Sequence, residues 1–250
     1  MRARGVGLLE PVAGRRARWL FTDRRGGVST GDYASLNLAD HVGDDPQAVS
    51  ANRGSAASWL GLAAGQVAVM RAAHGAESAF VTGGGVVADV DILVTDRPDV
   101  ALLALAADCV PMAMADPVAG VVAAVHSGWR GVAAGTARAA VAAMVAAGAH
   151  TSRITASLGA AICARCYEVS DAVLAQVTAA APAAAAVTRT GTPAVDIRAG
   201  ISEQLRGEGV SDIRVDPACT YEAPTELFSY RRDHTTGRQG VLVALQVGHG

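Results

Sequence analysis

The fold is decided by residues 100–126, which read VALLALAADCVPMAMADPVAGVVAAVH. This stretch predicts three strands, at Val100 to Ala106, Pro111 to Ala115 and Gly120 to His126, because each is a short apolar run bounded by turn residues. Runs that are continuously apolar, without alternation, indicate strands that are buried on both faces. The stretch therefore predicts the centre of a layered structure in which both sides of each sheet are covered.

Two helix signals flank this stretch. Asp45 followed by Pro46 predicts an N-cap carboxylate and a proline in the first turn of a helix that runs toward Leu60. On the other side, a long alanine-rich helix is predicted over Gly131 to Ala147, and Gly148 stands where a C-terminal glycine is expected.

Further strands are predicted near both ends of the chain, at Arg18 to Thr22, Glu226 to Tyr230 and Gln239 to Val247. Strands and helices do not alternate as they do in a βαβ protein. The sequence therefore predicts an α+β fold, a layered α/β sandwich with mixed sheets, as a single domain over residues 1–250.

The basic residues restrict the possible chemistry. The sequence contains no lysine, so all 21 of its basic residues are arginine. This excludes a Schiff-base lysine, a pyridoxal-phosphate lysine and a Walker-A lysine. The formal net charge of −2 gives no electrostatic footprint for nucleic acid.

The chain has the character of a cytoplasmic protein. Met1 to Arg18 lacks the continuous apolar region of a signal peptide. The alanine-rich segment is interrupted by Arg138 and indicates a packed helix, not a membrane span. Four cysteines in 250 residues do not suggest a disulfide framework. We expect a cytoplasmic monomer with no nucleic-acid or membrane partner.

Three candidate metal ligands, His74, Cys109 and His126, each lie where a predicted strand meets a loop, and the strand before His74 is predicted at Val67 to Met70. One thiolate and two imidazoles form a set that suits zinc and leaves a fourth position for water or substrate. Zinc in such a site would lower the pKa of bound water from 15.7 to about 7. Taken singly, however, a cysteine in an apolar run is more often buried filler, and a histidine at a strand end is more often a hydrogen-bonded core residue. Spacing alone leaves both interpretations open.

Other residues near these ligands have two interpretations each. Asp108, beside Cys109, could be a general base or orient the attacking water, but it could also cap a turn. The glycine-rich turn from His126 to Gly131 could bind an anion beside Arg130, but it could also be an ordinary tight turn.

Two further motifs stand outside this group. Cys163-Ala-Arg-Cys166 could be structural, a redox pair or half of a zinc knuckle, but no second C-x-x-C exists and Cys219 stands alone. The arginines Arg231, Arg232 and Arg238 could bind a carboxylate or phosphate bidentately, or belong to a solvated surface.

Taken in order, these segments resemble the YfiH-like, laccase-domain-containing family, whose members are also described as multifunctional purine nucleoside phosphorylases or peptidoglycan editing factors. No single segment is specific, but the ordered set covers nearly the whole chain. The matching segments are Arg25-Gly-Gly-Val-Ser29, Tyr33-Ala-Ser-Leu-Asn-Leu38, His41-Val-Gly-Asp-Asp45, Asn52-Arg53, His74-Gly75, Asp91-Ile-Leu-Val-Thr95, Ala107-Asp-Cys-Val-Pro111, His126-Ser-Gly-Trp-Arg-Gly131, Cys166-Tyr-Glu-Val169, Phe228-Ser-Tyr-Arg-Arg-Asp233 and Thr236-Gly-Arg238.

The resemblance implies a layered α/β sandwich and a zinc site formed by His74, Cys109 and His126, with copper as a possible alternative metal. It also implies an enzyme that acts on purine nucleosides and phosphate, by phosphorolysis of adenosine, inosine and methylthioadenosine and by deamination of adenosine. In this enzyme the catalytic residues would be Asp108, Cys109 and His126.

Four residues are candidates for substrate binding: Arg25, Asn37, Arg53 and Arg130. Arg53 is our favoured phosphate ligand among the arginines. The family usually has glutamine where this chain has Ala72, so any contact that the glutamine amide makes to substrate is missing here.

Four alternatives remain. A copper-dependent polyphenol oxidase is the least favoured on physical grounds, because a multicopper enzyme needs more histidines than the six in this sequence. A single copper ion in the predicted zinc site could still give weak oxidase activity. A cysteine hydrolase, or an amidase that edits cell-wall precursors, would use Cys109 as nucleophile and His126 as base. The fourth alternative is a non-catalytic protein with a structural zinc.

Overall fold

Two six-stranded sheets form the body of the protein in a computed structural model that describes residues 3–12 and 15–247. The first sheet has the strand order β1 (Ala3–Val12), β2 (Arg15–Thr22), β14 (Gln239–Val247), β7 (Ala101–Ala106), β3 (Val67–Arg71) and β5 (Gly85–Ala88). The second sheet has the order β13 (Asp212–Val215), β10 (Thr155–Leu158), β8 (Val110–Asp116), β9 (Val121–Ser127), β6 (Ile92–Thr95) and β4 (Ser78–Phe80). A small third sheet pairs β11 (Ala185–Val187) with β12 (Pro193–Val195). The α-helices are α1 (Pro46–Ser58), α2 (Trp129–Ala134), α3 (Thr136–Ala146), α4 (Asp171–Ala180), α5 (Ile197–Gly207) and α6 (Tyr230–Asp233).

Both large sheets are mixed. In the first, β14 is antiparallel to β2 and β7, whereas β3 is parallel to β7 and β5. In the second, β8 is antiparallel to β9 and β10, whereas β10 is parallel to β13. The predicted α+β sandwich with mixed sheets is confirmed.

The alternation of side chains along the central strands shows how the layers stack. In β7, Leu102 and Ala104 face the core between the two sheets, while Leu103 and Leu105 face the core under α1. In β9, residues of one face join the same inter-sheet core and those of the other pack against α3 and α5. Every residue of β7, β8 and β9 is buried, as the continuous apolar runs predicted.

The predicted helices form, with one interruption. Asp45 caps α1 and its side chain accepts a hydrogen bond from the Gln47 amide at 3.0 Å. The predicted alanine-rich helix is divided into α2 and α3 by Gly135, whose φ of +80° ends the first helix. Gly148, with φ of +102°, follows the end of α3 as predicted. No helix of the described ranges is long and apolar enough to cross a bilayer.

The strand assignments differ from the prediction in both directions. Glu226 to Tyr230 is not a strand. The backbone of the fully buried Phe228 instead bonds to the side chain of Gln239, donating to Oε1 at 2.7 Å and accepting from Nε2 at 3.0 Å. This amide satisfies the backbone groups that a neighbouring strand would otherwise satisfy. Conversely, the sequence did not predict β1, β4, β5, β11 and β12. Of these, β1 forms an antiparallel hairpin with β2.

Candidate active site

A cavity of about 560 Å³ opens where the loops after β3 and β7 meet the end of β9. Its lining combines aromatic rings with several arginines and a single carboxylate, Asp108. The rings belong to Trp129, Tyr167 and Tyr230, and the arginines are Arg71, Arg130, Arg231 and Arg238. Volume and lining are those of a site for a small polar ligand with an aromatic part and a negative charge.

The three predicted metal ligands meet in this cavity. His74, Cys109 and His126 each offer one donor atom, and these atoms all lie within 4.8 Å of one another. The two imidazole rings are edge to face, with centroids 4.8 Å apart and planes at 84°. Side chains from three separate parts of the chain therefore form one group that can hold a metal ion.

A fully buried carboxylate, Asp91, orients two of the three ligands. Its Oδ1 accepts the amide of His74 at 3.0 Å and lies 2.9 Å from Nδ1 of His126, and its Oδ2 accepts the amide of Gly75 at 2.6 Å. The contact to Nδ1 leaves Nε2 of His126 as the nitrogen available to a metal ion.

Sequence reasoning did not assign a role to Asp91. The available signal was its position at the start of the apolar run Asp91 to Thr95, because a carboxylate in a buried strand must have partners.

The turn after β9 passes close to the ligands because it contains Gly128. A Cβ on this residue would lie 2.7 Å from Sγ of Cys109 and 3.8 Å from Cδ2 of His74. No side chain therefore fits between the turn and the sulfur. Glycine is therefore needed here because the ligand side chains occupy the space of a Cβ, and the shape of the turn is not the reason.

Electrostatics favour the thiolate at Cys109. Burial opposes ionisation of this thiol, but the charge of His126 and hydrogen bonds from His126 and His74 lower its pKa to about 6. Burial also opposes a charge on His126, but Cys109 and Asp91 raise its pKa to about 10. Both shifts act toward the thiolate of Cys109, which is the form of cysteine that binds metal ions.

Asp108 and Cys109 both line the cavity, because they lie in a turn that brings the two neighbouring side chains to the same side. Its Oδ1 accepts hydrogen bonds from Thr220 at 2.6 Å and Ser229 at 2.7 Å, and its Oδ2 accepts the amide of Arg231 at 2.7 Å. Its φ of +98° is a conformation that non-glycine residues rarely adopt. These bonds fix the turn that presents the thiol of Cys109, so the geometry favours a positioning role over proton abstraction.

Only one of the four predicted substrate-binding residues lines the cavity. Arg130 is exposed there, with its guanidinium 4.5 Å from the ring of Trp129, and no carboxylate of the described residues pairs with it. Arg25 instead pairs with the buried Asp23.

Arg53 and Asn37 belong to the supporting structure. Arg53 lines a separate cleft, where it donates to the carbonyl of Leu38 at 2.8 Å and lies 3.3 Å from Asp40. Asn37 is fully buried, and its Oδ1 accepts the amide of Arg238 at 2.9 Å. Asn37 therefore positions an arginine of the cavity without lining the cavity itself.

Arg231 and Arg238, from the arginine-rich motif near the end of the chain, also line the cavity. Arg238 is half-buried and donates from Nη1 to the carbonyls of Thr236 and Gly237, and burial lowers the pKa of its guanidinium. Arg231 lies 4.8 Å from the ring of Tyr167. Arg231 and Arg238 therefore border the cavity, whereas Arg232 bonds to the carbonyls of Thr220 and Leu227 and pairs with Asp233.

Comparison with known proteins identifies related chains. The sequence pattern of the multi-copper polyphenol oxidoreductase laccase family matches residues 18–246. The chain is 51% identical over 232 residues to purine nucleoside phosphorylase ORF3 of Streptomyces griseus, covering 91% of this chain and 94% of the relative. Among solved structures, YlmD from Geobacillus stearothermophilus matches with a TM-score of 0.87 and 34% identity over 98% of both chains. The Bacillus licheniformis protein YfiH matches with a TM-score of 0.84 and 28% identity, over 91% of this chain and 92% of that one.

Proposed function

This chain belongs to the multi-copper polyphenol oxidoreductase laccase family, and from that premise we propose that it is a zinc-dependent purine nucleoside phosphorylase. Its substrates are purine nucleosides such as adenosine, inosine and methylthioadenosine, together with phosphate. The observation that carries the proposal is that His74, Cys109 and His126 converge on a cavity that also presents aromatic rings and arginines.

The donor set fits zinc. One thiolate and two imidazoles are typical zinc ligands, Asp91 orients one imidazole as outer-shell carboxylates do, and the cavity leaves one side of the group open. Zinc bound there would supply Lewis-acid catalysis at one open coordination position. Neither group of potential ligands in the described chain contains more than two histidines, which supports this proposal over a multicopper oxidase.

In this proposal the phosphate binds beside Arg130 and Arg238. Both guanidinium groups line the cavity, and guanidinium binds phosphate oxygens through paired hydrogen bonds. The single carboxylate of the lining, Asp108, already accepts three protein donors, so it competes little for these arginines. Arg53, outside the cavity, supports the wall through Asp40, which also lies 3.6 Å from Arg71.

In this proposal the purine stacks against the aromatic side chains of the cavity. Trp129, Tyr167 and Tyr230 offer flat apolar surfaces that stack on a heterocycle, and their polar edges remain available for hydrogen bonds. Ala72 lines the same cavity where the family usually has glutamine, so this wall is shorter and lacks an amide. We therefore expect base preference to differ from that of relatives with glutamine.

The test is an assay of the purified, zinc-quantified protein with adenosine, inosine and methylthioadenosine, with and without phosphate. Free base, ribose phosphate and ammonia are followed together. Phosphorolysis requires equal amounts of free base and ribose phosphate that depend on phosphate, whereas ammonia from adenosine measures deamination at the same site. Absence of ribose phosphate with all three nucleosides would overturn the proposal.

A matched pair of arginine variants locates the phosphate. We expect Arg130→Ala to raise KM for phosphate by about tenfold or more, since a charge-assisted hydrogen bond contributes about 1.5–3 kcal/mol. Arg53→Ala, which alters an arginine outside the cavity, should leave the phosphate dependence nearly unchanged. The reverse result would move the phosphate site to the Arg53 cleft.

The contact between Cys109 and His126 also suits a cysteine hydrolase, including an amidase that edits cell-wall precursors. The two mechanisms respond differently to chelation. A zinc enzyme loses activity with a chelator and regains it with zinc, whereas a cysteine hydrolase stays active after zinc removal and is inactivated by alkylation of Cys109.

A further inference from the structure

A second group of potential metal ligands lies outside the cavity lining. Cys163, Cys166, Cys219 and Glu222 each offer one donor atom, and these atoms all lie within 4.8 Å of one another. We call these four residues the outer cluster. In the ranges that the structure describes, the outer cluster and the cavity ligands are the two groups of histidine, cysteine and acidic residues close enough to hold an ion. The cysteine that stands alone in the sequence is thus the neighbour of the C-x-x-C pair.

Sheet topology explains this proximity. β10 and β13 are parallel neighbours, with Leu158 opposite Val215, so the loops that follow them leave the same edge of the sheet. A bridge between Ala161 and Cys219 continues the pairing into these loops. The amide of Cys163 then donates to Sγ of Cys219 at 3.3 Å. Backbone pairing therefore holds the two loops in register, and the thiols face each other as a result.

The donor spacing in both loops is that of a structural zinc site. Cys163-x-x-Cys166 supplies one pair, and Cys219-x-x-Glu222 supplies a second pair with the same spacing. In a tetrahedral site the sulfurs are about 3.8 Å apart, because each Zn–S bond is about 2.3 Å. The distances within the outer cluster are compatible with this geometry without a change of fold.

We propose that Cys163, Cys166, Cys219 and Glu222 bind a second, structural zinc ion. Three thiolates and one carboxylate complete a tetrahedral set, so this site is closed, whereas the cavity site keeps an open position. The set carries an excess of negative charge around a divalent ion. Arg189, which forms an ion pair with Glu222, offsets part of this charge.

The outer cluster is continuous with the wall of the cavity. Tyr167, which lines the cavity, directly follows Cys166. Thr220, which donates to Asp108 at 2.6 Å, directly follows Cys219. Zinc in the outer cluster would therefore fix the two loops that carry Tyr167 and Thr220, the donor to Asp108.

Metal content of the full-length protein, purified under reducing conditions with zinc in the medium, tests this proposal independently of any catalytic activity. We expect two zinc ions per chain in the wild type and one in each of two variants, Cys166→Ser and His74→Ala. A single zinc that disappears in His74→Ala and persists in Cys166→Ser would overturn the outer site while leaving the proposed function intact.

A second measurement avoids variants of the outer cluster, which could fail to fold. X-ray absorption at the zinc edge of the His74→Ala protein should show an ion with three sulfur ligands at about 2.3 Å and one light ligand. Coordination by nitrogen and oxygen alone, or a Cys163–Cys166 disulfide in mass spectra of the reduced preparation, would overturn the proposal.

Discussion

The cavity ligands and the outer cluster use cysteine in opposite ways. In the cavity, a single thiol lies between two imidazoles, and His126 lowers the pKa of Cys109 to about 6 despite burial. In the outer cluster, burial and neighbouring thiols raise the pKa of Cys166 to about 12. The surroundings differ as well, since one group faces a cavity of about 560 Å³ and the other joins two loops. The comparison shows that the neighbours of a buried cysteine determine in which direction its pKa shifts.

Removing one cysteine from each group gives the largest expected effects, and the two effects should be of different kinds. Cys109→Ala should lower kcat/KM by more than about 100-fold, because loss of an outer-shell partner alone costs about 10–100-fold at metal sites. Its melting temperature should also fall, because the cavity zinc stabilises the folded state as any bound ligand does, but the loss of activity is the larger effect. The measurement is phosphorolysis rate and thermal unfolding on the same preparation.

For Cys166→Ser we expect the opposite balance, a large loss of stability and a small loss of activity. Loss of a bound zinc that contributes about 3 kcal/mol of stability lowers the melting temperature by about 6–12 °C in a protein of this size. Residual activity at low temperature should remain measurable. The comparison fails if both variants lose activity equally while retaining wild-type melting temperatures.

The next largest effect is expected at Asp91, the carboxylate that orients His126. Asp91→Asn should weaken zinc binding in the cavity by about 10–100-fold, because the amide cannot replace the carboxylate beside Nδ1. Asp116→Asn is the matched control, since Asp116 is equally buried and accepts backbone amides such as that of His150 far from the ligands. Competition with a chelator measures both affinities, and equal losses in the two variants would show a general effect of buried carboxylates.

The smallest effect is expected at Glu222. Glu222→Gln leaves three thiols in the outer cluster, so we expect a melting temperature lower by about 2–4 °C, as for a loss of about 1 kcal/mol, with kcat/KM within twofold of wild type. Glu208 has the same side-chain exposure of 41% and pairs with Arg138, so Glu208→Gln is its control. Identical melting temperatures for the two variants would indicate that Glu222 is not a ligand.

The sequence predicted the architecture well where burial produces a local pattern. The apolar runs of β7, β8 and β9 and the Asp45–Pro46 helix start depend on neighbouring residues, and they were recognised. The error at Glu226 to Tyr230 has a non-local cause, because the side chain of Gln239 takes the place of a partner strand.

The residues of the candidate site also divide into those that the sequence identified and those that depend on how distant segments pack. The resemblance identified His74, Cys109 and His126, and the structure brings them together. Sequence reasoning assigned no role to Asp91, and our own choice of phosphate ligand, Arg53, lies in another cleft, because contact with a cavity depends on how loops pack. The outer cluster was beyond sequence reasoning, since 52 residues separate its two halves, which meet through the parallel pairing of β10 and β13 and the bridge that continues it.

The position of Tyr167 next to Cys166 has a consequence for ligand binding. The proposed nucleoside site and the proposed outer zinc would both order the loop that carries Cys166 and Tyr167. Thermodynamic reciprocity then requires that any effect of one ligand on the dissociation constant of the other is returned by an equal factor. In the proposed enzyme, a ligand of the cavity would therefore also change how firmly the outer metal ion is retained.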